Sequence, residues 1–237
     1  MFSSTTRGVA AAAGLALATA SLAACSPSSS DHGLAVVATT TQICDYVTQI
    51  AAKSADISLD KTDAAGKSSH VGAQKDGAAL AMSLTCLLAP NASAHEHEMT
   101  PAQTSALAQA DVMAVSGVDL EHFLDDAVVS SGFKGRMVVT SGVLTAADID
   151  NPGTPDPEGP YTIDRGSERV DVAPWPFPPE EAGEEPEFRF DPHVWTSPKG
   201  ARVQVANLGA GLAAAAPDAA SSINAATASY LEDIDAL

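Results

Sequence analysis

Short apolar runs alternate with stretches of helical periodicity from residue 34 to residue 140, and this alternation narrows the fold more than any other feature of the chain. Leu34-Ala35-Val36-Val37-Ala38 suits a buried strand, and Ile43, Val47 and Ile50 follow at helical spacing. Ser83 to Ala89 reads as a second strand, stopped by Pro90-Asn91. Thr100-Pro101-Ala102-Gln103 then supplies a helix start: a threonine cap, a proline where no amide is missed, and a glutamine able to reach back to the cap amide. Asp111 to Ser116 gives a third strand, Leu120, Phe123, Leu124, Ala127 and Val128 an amphipathic helix closed by Gly132, and Met137 to Thr140 a fourth strand. Strands alternating with helices imply βαβ crossovers, hence an α/β class with a largely parallel sheet. Residues 54–79 lack clear periodicity and read as a loop.

The alternation breaks at residue 148. Residues 151–190 hold nine of the fifteen prolines, and residues 148–190 carry twelve acids against three arginines. That composition excludes regular helix and central strand, so the segment is expected to be a long acidic loop with a solvated face. Helical spacing returns with Val203, Val205, Leu208 and Leu212, breaks at Pro217, and resumes with Ile223, Ala226, Tyr230, Leu231 and Ile234. No glycine, proline or polar tail closes this last helix, so the chain is expected to stop inside an element.

The N-terminus reads as an address. Arg7 precedes a run of small and apolar residues from Gly8 to Ala24, too short and too rich in Ala, Ser and Thr for a membrane span of about 20 strongly apolar residues. Residues 1–24 are therefore expected to be a signal peptide. Leu22-Ala23-Ala24-Cys25, followed by Ser26-Pro27-Ser28, resembles the bacterial lipobox, which implies lipidation at Cys25 and a tether over residues 25–33. The competing reading is a plain signal peptide with an incidental cysteine. Cys44 and Cys86 remain as an even pair in an exported chain, available either for a disulfide or as two buried thiols.

Charge limits the partners. With 12 Lys+Arg against 30 Asp+Glu the formal charge is −18, the wrong sign for neutralising phosphates, so no nucleic-acid partner is expected and cationic ligands are favoured. Three of the six histidines lie in two compact settings: Ala94-His95-Glu96-His97-Glu98 after a strand, and Asp191-Pro192-His193-Val194-Trp195 after the acidic loop. Loops at the carboxyl ends of parallel strands are where α/β proteins bind ligands. Neutral imidazole suits zinc, manganese and similar divalent ions. Alone, His-x-His is equally compatible with a solvated polar turn.

Four segments together carry a resemblance. Val36-Val37-Ala38-Thr39-Thr40-Thr41-Gln42-Ile43, Leu87 to Pro90 continuing through His95-Glu96-His97-Glu98-Met99-Thr100-Pro101, Ala108 to Glu121, and Asp191-Pro192-His193-Val194-Trp195 are similar, in order and approximate spacing, to the metal-binding lipoproteins of zinc and manganese ABC importers. The family's fold is two α/β lobes joined by one long helix, with the ion caught between them. The resemblance implies that residues 34–215 are the N-terminal, parallel-sheet lobe of a periplasmic-binding-protein-like fold with a helical backbone. It also implies that residues 216–237 begin the linking helix and that the second lobe is missing.

By the same resemblance His95 and His193 bind the metal, Zn2+ or Mn2+, and the protein captures it on the outer face of the bacterial cytoplasmic membrane for an ABC permease, held there by a lipid anchor. His97 stands where the family has a tyrosine-like aromatic and is either an extra ligand or a polar ring. The family's remaining two ligands come from the second lobe, so capture by this chain is expected to be impaired. Two other classes compete: a surface lipoprotein without a working metal site, and a zinc hydrolase using Glu96 or Glu98 as general base. The hydrolase lacks a His-Glu-x-x-His helix, a Gly-x-Ser-x-Gly elbow and a phosphate-cradling glycine loop.

Overall fold

The computed structural model describes Met1 and residues 33–237 apart from 157 and 180–182; the expected signal peptide, Cys25 and most of the tether lie outside the described residues. Strands β1 (Leu34–Ala38), β2 (Ile57–Thr62), β3 (Ser68–Gly72), β4 (Leu80–Cys86), β5 (Val112–Val115), β6 (Arg136–Val139) and β7 (Thr162–Asp164) form one sheet. Their spatial order is β3-β2-β4-β1-β5-β6-β7. Every neighbouring pair is parallel except β2 and β3, which are antiparallel.

Side-chain alternation places the helices on both faces. Leu34, Val36 and Ala38 of β1, with Val112, Ala114 and Val138, pack against α1 (Thr41–Ala52), α5 (Pro198–Ala215) and α6 (Ala220–Asp235). Val37, Met113, Val115, Met137 and Val139 point the other way, to α2 (Pro101–Ala108) and α3 (Leu124–Ser131). A strand buried on both faces must read as a continuous apolar run, as β1, β5 and residues 137–139 of β6 do. Helix α6 returns antiparallel along α5: Arg202 near the start of α5 bonds Asp235 at the end of α6 (2.9 Å), and Thr227 lies over Gly209.

Two expected local signals, at α2 and α3, act as stated, and α1 has a cap that sequence reasoning did not single out. Thr40 caps α1, accepting from the Ile43 amide (3.2 Å). Thr100 and Gln103 form the reciprocal capping box of α2. Gly132, at φ 66°, terminates α3 in the left-handed region that glycine enters without steric cost.

Residues 54–79 are not the expected loop. They contain β2 and β3, joined by a turn in which the Asp63 carboxylate accepts from the amides of Ala65 and Lys67 (both 2.9 Å). Only Ile57 and Leu59 carry the β2 register into the core. Strand β3 lies at the sheet edge with mostly exposed side chains, so main-chain pairing holds it and no apolar pattern announces it. The second strand also begins earlier than expected, at Leu80, and ends at Cys86. The helix expected from Leu120 begins at Leu124, because Gly117, Val118 and Asp119 turn the chain left-handed first.

The acidic segment is more structured than its composition implies. It begins within α4 (Ala146–Asp150) and contributes β7 to the opposite edge of the sheet. Each of its arginines is held: Arg165 by Asp148 (3.1 Å) and Asp156 (2.7 Å), Arg169 by the Asp148 carbonyl (2.9 Å), and Arg189 by Asp150. Arg136 of β6 reaches Asp164 of β7 (2.9 Å). Cys44 of α1 and Cys86 at the end of β4 are joined as a disulfide, with Cα atoms 5.6 Å apart.

The connections explain where a site can form. From β1 the chain crosses through α1 towards β2, whereas from β4, the neighbour of β1, it crosses through α2 the opposite way to β5. Adjacent strands whose connections diverge leave a crevice at their carboxyl ends.

Candidate metal centre

His95 sits in the segment leaving β4, at that crevice. Both ends of the segment are pinned by one buried side chain: the Gln103 amide donates to the Leu87 carbonyl (2.7 Å) and its oxygen accepts from the Thr100 amide (2.9 Å). The His95 amide donates to Ser93 Oγ (3.2 Å). Its ring packs on Phe188, with centroids 4.9 Å apart, and its Nδ1 is buried without a hydrogen-bond partner among the described residues. Burial pushes the His95 imidazole below its ordinary pKa. Glu187 opposes that shift, His193 and His122 reinforce it, and the Leu120 carbonyl opposes it. Burial thus favours the neutral form, the one that coordinates cations.

His193 arrives from the far end of the acidic segment, immediately before a 3₁₀ turn (Val194–Thr196) that leads into α5. Its ring lies edge-on to His95 with centroids 5.6 Å apart. Asp191 fixes it twice, accepting from the His193 amide (3.0 Å) and lying 2.7 Å from Nδ1. A carboxylate bound to Nδ1–H settles the tautomer and leaves the Nε2 lone pair to face a cation. Trp175 stacks on the ring (5.9 Å, 29°) and Trp195 meets it edge-on (5.3 Å).

An isolated antiparallel bridge holds Trp175 and Phe188 in place. The Trp175 amide donates to the Arg189 carbonyl (3.0 Å), the Asp191 amide to the Ala173 carbonyl (2.8 Å), and Pro174 bridges Phe190. Phe188 is thereby buried at 4% exposure against His95, His122 and Trp175. Beneath, α5 is bonded to the strand ends by two buried amides. Asn207 donates to the carbonyls of Thr140 (2.9 Å) and Glu168 (2.8 Å), and Gln204 donates to Ser116 Oγ (3.1 Å) and Thr140 Oγ1 (3.2 Å).

Sequence reasoning passed over two residues of this region. His122 follows β5, exposed, with its ring 6.2 Å from His95 and 5.4 Å from Phe188. Glu121 beside it is fully buried. Its carboxylate accepts from Thr39 Oγ1 (2.6 Å) and the amides of Ser116 (2.7 Å) and Gly117 (3.0 Å). Desolvation raises its pKa and these hydrogen bonds oppose the rise. No periodicity marks a lone histidine at the start of an apparent helix.

His97, by contrast, turns away. Its ring meets Phe123 edge-on (5.0 Å), and among the described residues it makes no ring contact with another histidine. Burial lowers its pKa, against a weaker raising effect of Gln103. Glu96 and Glu98 are exposed. Among the described residues no three His, Cys, Asp or Glu side chains already converge on one ion position.

The architecture is that of an α/β ligand-binding lobe whose two motif histidines, 98 residues apart in sequence, meet at the carboxyl edge of a parallel sheet. Residues 77–237 match the ZnuA family, described as zinc-uptake complex component A, periplasmic, and the chain belongs to that family. Its fold is similar to that of Zn(II)-bound AdcA from Streptococcus pneumoniae, with 17% identity, a TM-score of 0.53, and coverage of 86% of this chain and 31% of that one. The metal-dependent lipoprotein YcdH from Bacillus subtilis is similar at 18% identity and a TM-score of 0.51, covering 85% of this chain and 52% of that one. The Zn(II)-bound ZnuA-like domain of AdcA gives 17%, 0.51, 86% and 53%. The chain thus spans about a third of AdcA and about half of the other two.

Proposed function

We propose that the protein captures a divalent transition metal, Zn2+ or Mn2+, outside the cytoplasmic membrane and presents it to an ABC permease, with His95 and His193 as the ligands supplied by this lobe. It is read as a binding protein and not an enzyme. The observation that carries the reading is the 5.6 Å separation of the two rings. Metal–nitrogen bonds of about 2.0–2.1 Å put two imidazole centroids sharing one ion about 5.2 Å apart at the tetrahedral angle and at most about 6.4 Å apart. The family match and the charge of −18 support a cationic cargo. Lipidation at Cys25 and the start of a linking helix in α6 belong to the same proposal.

The test is a competition titration of zinc against a chromophoric chelator near neutral pH. Wild type is expected to bind, and His95→Ala combined with His193→Ala to lose the binding. Equal affinity of wild type and double variant would reject these ligands.

A further inference from the structure

We infer that His122 is a third imidazole ligand of the same centre, so that this lobe alone offers three nitrogens to the ion. The inference rests on the capture of metal by His95 and His193 and adds to it a residue outside both histidine motifs.

Three observations carry it. The first is distance. The His122 ring centroid is 6.2 Å from that of His95, inside the limit of about 6.4 Å that a shared ion allows. The rings of His95 and His122 both rest on Phe188. The separation lies near the upper limit, and among the described residues the His122 ring makes no contact with that of His193, so the His122 ring must swing inward towards both to close the centre. His122 is exposed and borders an open cleft lined by Asp119, Leu124, Asp125 and Tyr161, which gives it room to move.

The second is the backbone that places it. Gly117, Val118 and Asp119 have φ of 86°, 59° and 56°. Valine in the left-handed region is costly because its branched Cβ crowds the backbone, and such conformations persist where the surroundings impose them. The surroundings here are explicit. The Val118 amide donates to the Val143 carbonyl (2.8 Å), the Asp119 amide to the Leu144 carbonyl (3.0 Å), and the Asp119 carboxylate accepts from the Ala146 amide (2.7 Å). Glu121 meanwhile anchors the far side of the turn to Ser116, Gly117 and Thr39. The result turns Glu121 inward and leaves the next side chain, His122, beside His95.

The third is local chemistry. His95 has a buried Nδ1 without a partner among the described residues, and Asp191 orients His193 through its Nδ1. A cation entering here meets one ring with an unpartnered nitrogen and one whose Nε2 is free to face it. A third imidazole would bring a zinc ion to three protein nitrogens, the number that open tetrahedral sites use with one further ligand.

Two measurements decide the matter. In the chelator competition, His122→Ala is expected to weaken zinc binding by more than about tenfold, the least that removing even an outer-shell partner of a ligand costs. His95→Ala and His193→Ala should each weaken it further. X-ray absorption of the zinc-loaded full chain should count three imidazoles in wild type and two in His122→Ala. His122 is exposed, so an unchanged circular dichroism melt of the apo variant separates ligation from folding. Unaltered affinity and imidazole count in His122→Ala, with binding still dependent on His95 and His193, would overturn this inference and leave the two-histidine reading standing. Absence of zinc binding by the wild type would overturn both.

Discussion

Replacing Cys44 and Cys86 together by alanine is expected to lower stability by an amount that follows from where the bridge lies in the chain. The two residues are separated by 42 positions. Cross-linking a loop of that length removes about 13 cal/mol/K of entropy from the unfolded chain, a stabilisation of about 4 kcal/mol at 25 °C, with typical measured values of about 2–4 kcal/mol. The bridge connects α1 to the last residue of β4, directly before Leu87, whose carbonyl anchors the His95 segment through Gln103. Both cysteines are buried, at 6% and 2% exposure, so alanine introduces no polar atom and the lost sulfurs add only a small packing cost. For a domain of this size the loss corresponds to a fall in Tm of roughly 10 °C. The assay is thermal denaturation followed by circular dichroism on the oxidised wild type, the reduced wild type and the double variant. The reduced protein and the variant should melt together, both well below the oxidised form. Curves that coincide within about 2 °C for all three would refute the chain-entropy argument.

Three further outcomes are expected. Gly117→Ala should destabilise the fold by about 2 kcal/mol or more, because a Cβ there falls 2.2 Å from the Val143 carbonyl oxygen at a φ of 86°; urea denaturation checks this, and a neutral effect would show that the turn relaxes freely. Glu121→Ala strands the Ser116 and Gly117 amides in a buried site, while the Thr39 hydroxyl keeps the Ala114 carbonyl, and should cost about 3 kcal/mol in the same assay, with a difference below about 1 kcal/mol contradicting the assigned network. Burial tends to raise the Asp148 pKa, but hydrogen bonds from Arg165 and from the Leu144 and Thr145 amides bring it below the usual carboxylate range. Its stabilisation is therefore present above the unfolded pKa of about 3.9 and lost as pH falls through the lower folded value. Asp148→Asn should be less stable than wild type at neutral pH by about 1–3 kcal/mol, and the two should converge in strong acid; a gap independent of pH would contradict the ionic assignment.

The parts legible in sequence were those where one physical requirement dominates. Strands β1 and β5 and residues 137–139 of β6 lie between helices on both faces, so they had to be apolar. The Thr100 and Gln103 box and the Gly132 terminus are local chemistry and need no tertiary context. The hidden parts depend on long-range partners. Strand β3 buries almost nothing and exists through its pairing with β2, and β7 is three residues long at an edge, tied in by Arg136. Asn207 and Gln204 look like polar interruptions of a helix until their partners at Thr140, Glu168 and Ser116 are placed beside them. His95 and His193 stood out only because motifs surround them. His122 has no such context, and its position is set by a left-handed turn that no apolar spacing encodes.

The central claim is that two imidazoles from opposite ends of this lobe hold one ion. Long-range 15N–1H correlation of the histidine rings, with zinc added stepwise to one equivalent, tests it most directly. The account predicts that ring nitrogens of both His95 and His193 shift together and saturate at that stoichiometry, while those of His70, paired with Asp60 and the Ala73 carbonyl across the β2–β3 hairpin, do not move. Saturation with His95 or His193 unperturbed would contradict it.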